Sequence, residues 1–92
     1  MSDIRTTLAE RGKRYGEFKT HAKISQDLQS VMHDHINATE LEPFHIEAIA
    51  MICHKLARIA NGDPNYDDSW RDIAGYAQLV VDILTAKQEP KP

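Results

Sequence analysis

The side chains best suited to chemistry lie on one side of a predicted helix between residues 43 and 60. Four polar residues share that side at helical spacing: Glu47, His54, Lys55 and Arg58. Lysine and arginine bind carboxylates and phosphates, and a carboxylate can bind a metal or accept a proton. This face therefore has the composition of an ion-pair network or of a phosphate site.

The next predicted helix carries acidic residues at a similar spacing. Asp68, Asp72 and Tyr76 are four positions apart and so share one face. The intervening segment 61–66 contains Asn-Gly and Asp-Pro, which form helix ends and turns. Because a short connection makes consecutive helices antiparallel neighbours, the two polar faces are expected to meet.

In this antiparallel hairpin, Lys55 is expected to face Asp72. One turn nearer to the loop, Arg58 is expected to face Ser69 and Asp68. One interpretation of the resulting cluster is a ladder of salt bridges between the helices. The other is a phosphate or metal–phosphate site, in which Lys55 and Arg58 bind phosphate and Asp72 holds a magnesium ion.

A basic segment near the N-terminus contrasts with an acidic remainder. Residues 11–23 hold five cations and one glutamate, a balance of +4 within a total of −3, so the rest of the chain carries −7. Tyr15 and Phe18 are interleaved with these cations, and such a segment could stack on a base and hold phosphates. It could equally join two copies of the chain, pack its aromatic rings into the fold or remain a solvated face.

The composition excludes several classes of protein. The chain has 92 residues, 41% of them hydrophobic and 27% charged, which is typical of one globular domain. The single cysteine, Cys53, excludes an internal disulfide framework, and no two of the five histidines have the three- or four-residue spacing of a zinc pair. The net charge argues against generic nucleic-acid binding. With no membrane-length apolar run and no signal peptide, we expect a cytoplasmic protein.

Apolar periodicity predicts four helices and no strand. The predicted ranges are about 3–13, 18–37, 43–60, and from Asp67 or Asp68 to about 87. Ser2 is the expected N-cap of the first helix, Pro43 suits the first turn of the third, and Asn61-Gly62 is expected to end the third in a left-handed conformation. The predicted fold is all-α, a small four-helix bundle in a single domain over 1–88, with a flexible tail at 89–92.

The short chain also predicts self-association. A domain of this size buries only about 60–65% of its unfolded surface, so its core is thin. Trp70 and Ile73 are expected to lie in that core, and the broad apolar face of the third helix is expected to touch two neighbours. We therefore expect a homodimer or a homotetramer.

Three stretches of the second half resemble a known family. They read Lys55-Leu56-Ala57-Arg58-Ile59, Asn61-Gly62-Asp63-Pro64 and Asp68-Ser69-Trp70-Arg71-Asp72-Ile73-Ala74-Gly75-Tyr76-Ala77. The opening stretch Glu10-Arg11-Gly12-Lys13-Arg14-Tyr15-Gly16-Glu17-Phe18 is similar as well, with a weaker motif. Over about residues 10–84, the chain resembles a short, often phage-encoded branch of the MazG-like all-α nucleotide pyrophosphohydrolases.

This resemblance implies magnesium-dependent cleavage of a nucleoside triphosphate into a monophosphate and pyrophosphate, on a bundle that forms dimers or tetramers. In the family, two acidic residues three apart on one helix and two more on the next hold the metal. Magnesium bound by clustered carboxylates neutralises phosphate oxygens and helps to orient an attacking water.

The acidic pattern of that family is altered in this sequence. Asp72 matches the last acidic ligand, whereas Ser69 stands at the third position and Lys55 and Arg58 at the first two. The expected site therefore consists of Asp68 and Asp72 on magnesium, Asp72 and Glu47 in catalysis, Lys55 and Arg58 on phosphates, and Arg14, Tyr15 and Tyr76 on the nucleotide.

Two other functions are compatible with the sequence. The altered acidic positions and the charge asymmetry also suit a catalytically degenerate phage-type bundle that binds a host protein. Nucleic-acid binding through the basic segment 11–23 is the weaker alternative, because the chain as a whole is acidic.

Overall fold

The computed structural model describes residues 3–37 and 39–88. Its elements are α1 (Ile4–Tyr15), α2 (Phe18–His35), α3 (Pro43–Asn61) and α4 (Asp67–Gln88), and the described residues contain no strand. The predicted all-α four-helix fold is confirmed, and each helix begins within about a residue of its expected start. The predicted tail at 89–92 lies outside the described residues.

Local side-chain bonds explain where two of the helices begin. The carboxylate of Asp3 accepts a hydrogen bond of 3.1 Å from the backbone N–H of Thr6, so Asp3 caps α1, and the prediction of Ser2 as the cap is wrong. At α3, Pro43 occupies the first turn as predicted, and the backbone N–H of Glu42 donates to Nδ1 of His45 over 3.0 Å.

The central element of the fold is α3, which contacts α1, α2 and α4. This confirms that its apolar face is broad enough for two neighbours. The buried apolar residues are small and lie on this helix: Ala48, Cys53 and Ala57. Among the described helices, α1 and α2 contact each other as well as α3, whereas α4 packs on α3 alone.

The corner between α1 and α2 packs directly against the end of α3. Gly16 closes α1 with a φ of +78°, a conformation that favours glycine. Gly62 ends α3, but its φ of −127° is not left-handed, so the predicted reason for this glycine is wrong. A Cβ at Gly62 would overlap the backbone of Arg14 and Tyr15, so the position needs glycine for close approach of two backbone segments.

Hydrogen bonds hold these two segments together. The side-chain amide of Asn61 donates to the carbonyl oxygens of Tyr15 (3.1 Å) and Glu17 (2.9 Å). The backbone N–H of Asp63 donates to the carbonyl of Arg14 over 2.6 Å. The C-terminal end of α1 is therefore fixed against the α3–α4 loop, although α1 buries none of its own residues.

The core is thin, and much apolar surface is uncovered. No large side chain of the described residues is fully buried, and the predicted core residue Trp70 is 50% exposed, its Nε1–H donating to the carbonyl of Pro64 over 2.9 Å. The radius of gyration is 16.3 Å, against about 12 Å expected for a compact chain of this length. None of the described helices combines the length and the apolar character needed to cross a bilayer.

Candidate functional site

The predicted contact between α3 and α4 is confirmed at its centre. Nζ of Lys55 lies 2.8 Å from Oδ2 of Asp72, in an ion pair whose lysine side chain is 10% exposed and whose aspartate side chain is 39% exposed. Burial of an ammonium group is tolerated only beside an opposite charge, so Asp72 compensates Lys55. The pair therefore braces the two helices and neutralises the carboxylate that was expected to hold a metal.

Arg58 does not make the ion pair that was expected one turn further along. Its Cζ lies 4.2 Å from the centroid of the Tyr15 ring, and it forms no salt bridge with Asp68 within the described part of the chain. Ser69, its other expected neighbour, is buried. The guanidinium stacks on an aromatic face because the end of α1 is held against the end of α3, a contact that sequence spacing could not reveal.

Two more arginines extend this arrangement. Cζ of Arg14 lies 4.1 Å from the centre of the Tyr66 ring, and Cζ of Arg11 lies 5.7 Å from that of Tyr15. The two tyrosine rings are themselves 6.2 Å apart. Guanidinium groups stacked on aromatic faces keep their in-plane N–H groups free to donate, and these are the groups that bind phosphate oxygens.

These residues surround a cleft of about 410 Å³. We call it the arginine–tyrosine cleft, and its lining consists of Thr7, Glu10, Arg11, Arg14, Tyr15, Arg58, Tyr66 and Asp68. It forms where the C-terminal half of α1, the last turn of α3 and the first turn of α4 meet. Three cations and two carboxylates line the same space, a composition suited to a ligand that carries both phosphate and a divalent cation.

A second cleft of about 360 Å³ adjoins the first and is mostly apolar. We call it the apolar cleft, and its own lining consists of Leu8, Gly12, Gly16, Glu17, Phe18 and His21. Arg11, Tyr15 and Arg58 line both clefts. The two clefts therefore adjoin at these shared side chains.

His21, which lines the apolar cleft, forms a pair with His54 that residue spacing did not predict. Nε2 of His21 is 3.1 Å from Nδ1 of His54, with the rings edge to face. Burial, reinforced by the charges of Arg58 and Lys55, lowers the pKa of His21. Burial, followed by the neighbouring His21, lowers the pKa of His54 to about 4. Both rings are therefore neutral at pH 7.

The burial of His21 also indicates which ring carries the shared proton. Its Nδ1 is buried and has no hydrogen-bond partner among the described residues. An unpaired lone pair costs less there than an unpaired N–H, so we assign the proton to Nε2 of His21, which donates to Nδ1 of His54. The two histidines are 33 positions apart and lie on α2 and α3. Only a prediction of how these two helices pair could have placed them together.

The remaining predicted site residues lie elsewhere. Glu47 is exposed on α3, eight residues and so about 12 Å before Lys55 along the helix. Tyr76 lies beside Asp72 along a shallow groove on α4 that Arg71 and Leu79 also line. The structure therefore brings together Arg14, Tyr15, Arg58 and Asp68 in one cleft, pairs Lys55 with Asp72, and leaves Glu47 and Tyr76 apart from that cleft.

The described residues do not form a ready-made metal cage. No group of three or more histidine, cysteine, aspartate or glutamate side chains converges among them. Magnesium is commonly held by one or two carboxylates together with substrate phosphates, and Glu10 and Asp68 line the arginine–tyrosine cleft. This donor set fits a cation that enters with a phosphorylated ligand better than one held by protein alone.

Comparison with known proteins relates the chain to one family. No curated protein and no solved structure matches it. The model of a family described as a domain of unknown function, DUF6378, matches residues 4–84, which include all the cleft residues described above. The match spans most of the 92-residue chain, so this protein belongs to the DUF6378 family.

Proposed function

We propose that this protein binds a nucleoside triphosphate in the arginine–tyrosine cleft and cleaves it to the monophosphate and pyrophosphate, as its resemblance to MazG-like enzymes implies. One observation carries the proposal. Arg11, Arg14 and Arg58 are gathered at a single cleft, where Arg14 stacks on the Tyr66 ring and Arg58 on the Tyr15 ring, with Arg11 lying further from Tyr15. Arginines held in this way lose less conformational entropy when they bind phosphate.

The cleft suits a polyphosphate chain better than a single phosphate. Guanidinium groups come from α1 and from α3, so they reach the ligand from two sides. Each guanidinium can donate two parallel hydrogen bonds to phosphate oxygens. A chain of three phosphates offers enough oxygen atoms to engage all three arginines at once.

The carboxylates of the cleft would hold magnesium together with the phosphates. Asp68, which was expected as a metal ligand, lies in this cleft with Glu10, and both are candidates for this role. Magnesium would neutralise phosphate oxygens and orient water. Asp72, the other expected ligand, is paired with Lys55, so its direct role as ligand or catalyst requires that ion pair to open.

The proposed assembly is a homo-oligomer formed through α4. Four exposed residues of this helix share one face at a spacing of seven, eleven and fourteen positions: Trp70, Ala77, Val81 and Leu84. Since α4 packs only on α3 among the described helices, a second copy of α4 could cover this face. Its addition would enlarge a core that is thin in the single chain.

Binding of a host protein without catalysis is the second candidate function. The Lys55–Asp72 ion pair favours it, because this pair neutralises the carboxylate that best matches the metal-binding pattern of MazG-like enzymes. A stoichiometric host partner, together with failure to bind any nucleotide, would favour this function over the first.

The test is pyrophosphate release from a panel of ribo- and deoxyribonucleoside triphosphates with magnesium, alongside calorimetric binding. We expect Arg14→Ala and Arg58→Ala each to weaken triphosphate binding about tenfold or more, because each removes a charge-assisted contact. Arg5→Ala is the matched control, since Arg5 is an exposed arginine of α1 that lines neither cleft. Absence of triphosphate binding by the native chain would overturn the proposal, and binding without release would overturn its catalytic part.

A further inference from the structure

We propose that the apolar cleft receives the base of the bound nucleotide, with the ring of Phe18 as its stacking platform. This inference rests on the proposed function, because the arginine–tyrosine cleft is where the phosphates would bind. It adds that the ligand is recognised as a nucleotide rather than as a polyphosphate chain.

The adjacency of the two clefts supports this assignment. Arg11, Tyr15 and Arg58 line both spaces, so a ligand whose phosphates contact these arginines can extend directly into the apolar cleft. The apolar cleft has a volume of about 360 Å³, within the range of small-molecule sites. A nucleotide has the matching polarity, with a charged phosphate end and a flat aromatic end.

Phe18 is placed to contact that aromatic end. Its side chain lines the apolar cleft, yet the residue is 77% exposed, so it contributes little to the core of the free chain. The ring stacks on His21, with the centroids 6.0 Å apart and the ring planes inclined by 25°. Since His21 is 5% exposed, it supports the phenylalanine from beneath and leaves the rest of that ring open to a ligand.

The lining of the apolar cleft also indicates how selective this contact would be. Stacking on an aromatic ring accepts every base, because each base has a π face. The contacts with Leu8 and Phe18 would therefore discriminate little between bases, with purines preferred over pyrimidines by their larger stacking area. Glu17, in the same lining, is the side chain placed to hydrogen-bond to the edge of a base.

The experiment compares a nucleoside triphosphate analogue, methylene-bridged between its α- and β-phosphates, with inorganic triphosphate. Binding of each is measured by calorimetry in magnesium buffer. We expect the native chain to bind the nucleotide analogue at least fivefold more tightly, in line with the contribution of one stacked base. Phe18→Ala should remove this preference while leaving the affinity for inorganic triphosphate unchanged, and Phe18→Trp should retain it.

Two controls separate the base contact from the phosphate contact. Val31→Ala removes another exposed apolar side chain from α2 outside both clefts and should leave both affinities unchanged. Arg14→Ala should weaken the binding of both ligands by the same factor. Equal binding of the two ligands by the native chain, or unchanged nucleotide affinity in Phe18→Ala, would overturn the base contact while the proposed phosphate site stands. Failure of both ligands to bind would instead overturn the proposed function, and this inference with it.

Discussion

At the scale of single residues, each charge acts through the partner that the fold supplies. Lys55 and Arg58 are three positions apart on α3, yet one is a buried cation in an ion pair and the other stacks on a tyrosine at a cleft. Sequence spacing left both residues open between a ladder of salt bridges and a phosphate site. The burial of Lys55 beside Asp72 indicates a structural role for this pair, whereas the stacking of Arg58 leaves donors free for a ligand.

The role of Asp72 can be tested through stability. We expect Asp72→Asn to lower the free energy of unfolding by about 1–2 kcal/mol, below the cost for a fully buried pair because Asp72 is partly exposed. Urea denaturation measures this change. Asp67→Asn is the control, because the ion pair of Asp67 with Arg71 is solvent-exposed and should contribute about 0.5 kcal/mol or less. Native stability in Asp72→Asn combined with lost pyrophosphate release would indicate a metal ligand instead.

Because both histidines are neutral in the folded chain, we expect its stability to depend on pH. The pKa of His54 is about 4 in the folded chain and 6.5 in the unfolded chain, so between these values the unfolded chain binds more protons. The contribution of neutral His54 to the free energy of unfolding is therefore fully present above about pH 6.5 and is lost as the pH falls toward 4. Allowing for the partial exposure of His54, we expect a loss of about 1 kcal/mol between pH 7 and pH 5.

This dependence can be isolated by comparison with a variant. His54→Gln removes the titrating ring, so its unfolding free energy should fall less steeply between pH 7 and pH 5 than that of the native chain. Parallel urea denaturation series at the two pH values give the difference, and the carboxylates contribute equally to both proteins. Identical slopes in the two proteins would contradict the neutral histidine pair.

At the scale of elements, the decisive contact is the docking of the α1–α2 corner on the α3–α4 loop. Gly16 and Gly62 allow the two backbone segments to approach, and the Asn61 side chain fastens them. This contact sets the position of Arg14 and Tyr15 relative to Arg58. The arginine–tyrosine cleft is therefore a product of a junction between elements rather than of any single helix.

A substitution at this junction should disturb both stability and binding. Gly62→Ala places a Cβ against the backbone of Arg14 and Tyr15, and we expect it to reduce the free energy of unfolding by about 1–3 kcal/mol. It should also weaken triphosphate binding, because it shifts Arg14. Gly75→Ala is the control, since a Cβ there meets nothing within 4 Å inside α4, and it should stabilise the chain by about 0.5–1 kcal/mol. Thermal unfolding and calorimetry of both variants provide the test.

At the scale of the whole molecule, the fold is an elongated four-helix bundle organised about α3. Its extents are 54 × 33 × 25 Å, and among the described helices α4 packs along α3, meeting α1 only where its first turn lines the arginine–tyrosine cleft. The apolar side chains left exposed to water by this arrangement disfavour an isolated chain. The proposed second copy on α4 would relieve this exposure.

If the chain self-associates through α4, its oligomeric state should depend on the side chains of one face of that helix. Val81→Glu places a charge among Trp70, Ala77 and Leu84, and it should shift the chain to a lower oligomeric state in analytical ultracentrifugation. Ala86→Glu adds the same charge on the opposite side of α4 and should leave the oligomeric state unchanged. A native chain that is monomeric at high concentration, or equal effects of the two variants, would contradict this interface.

The amino-acid sequence alone was sufficient for the helices, their order and the Lys55–Asp72 contact, because periodicity and turn residues act over short distances along the chain. It was insufficient for the stacking of Arg58, for the His21–His54 pair and for the close backbone approach that requires glycine at position 62. Those features depend on how α1 and α2 dock on α3, and the residues in contact are 33 or more positions apart. The tertiary structure therefore determined where the cations gather, since contacts between distant segments arise from packing rather than from local spacing.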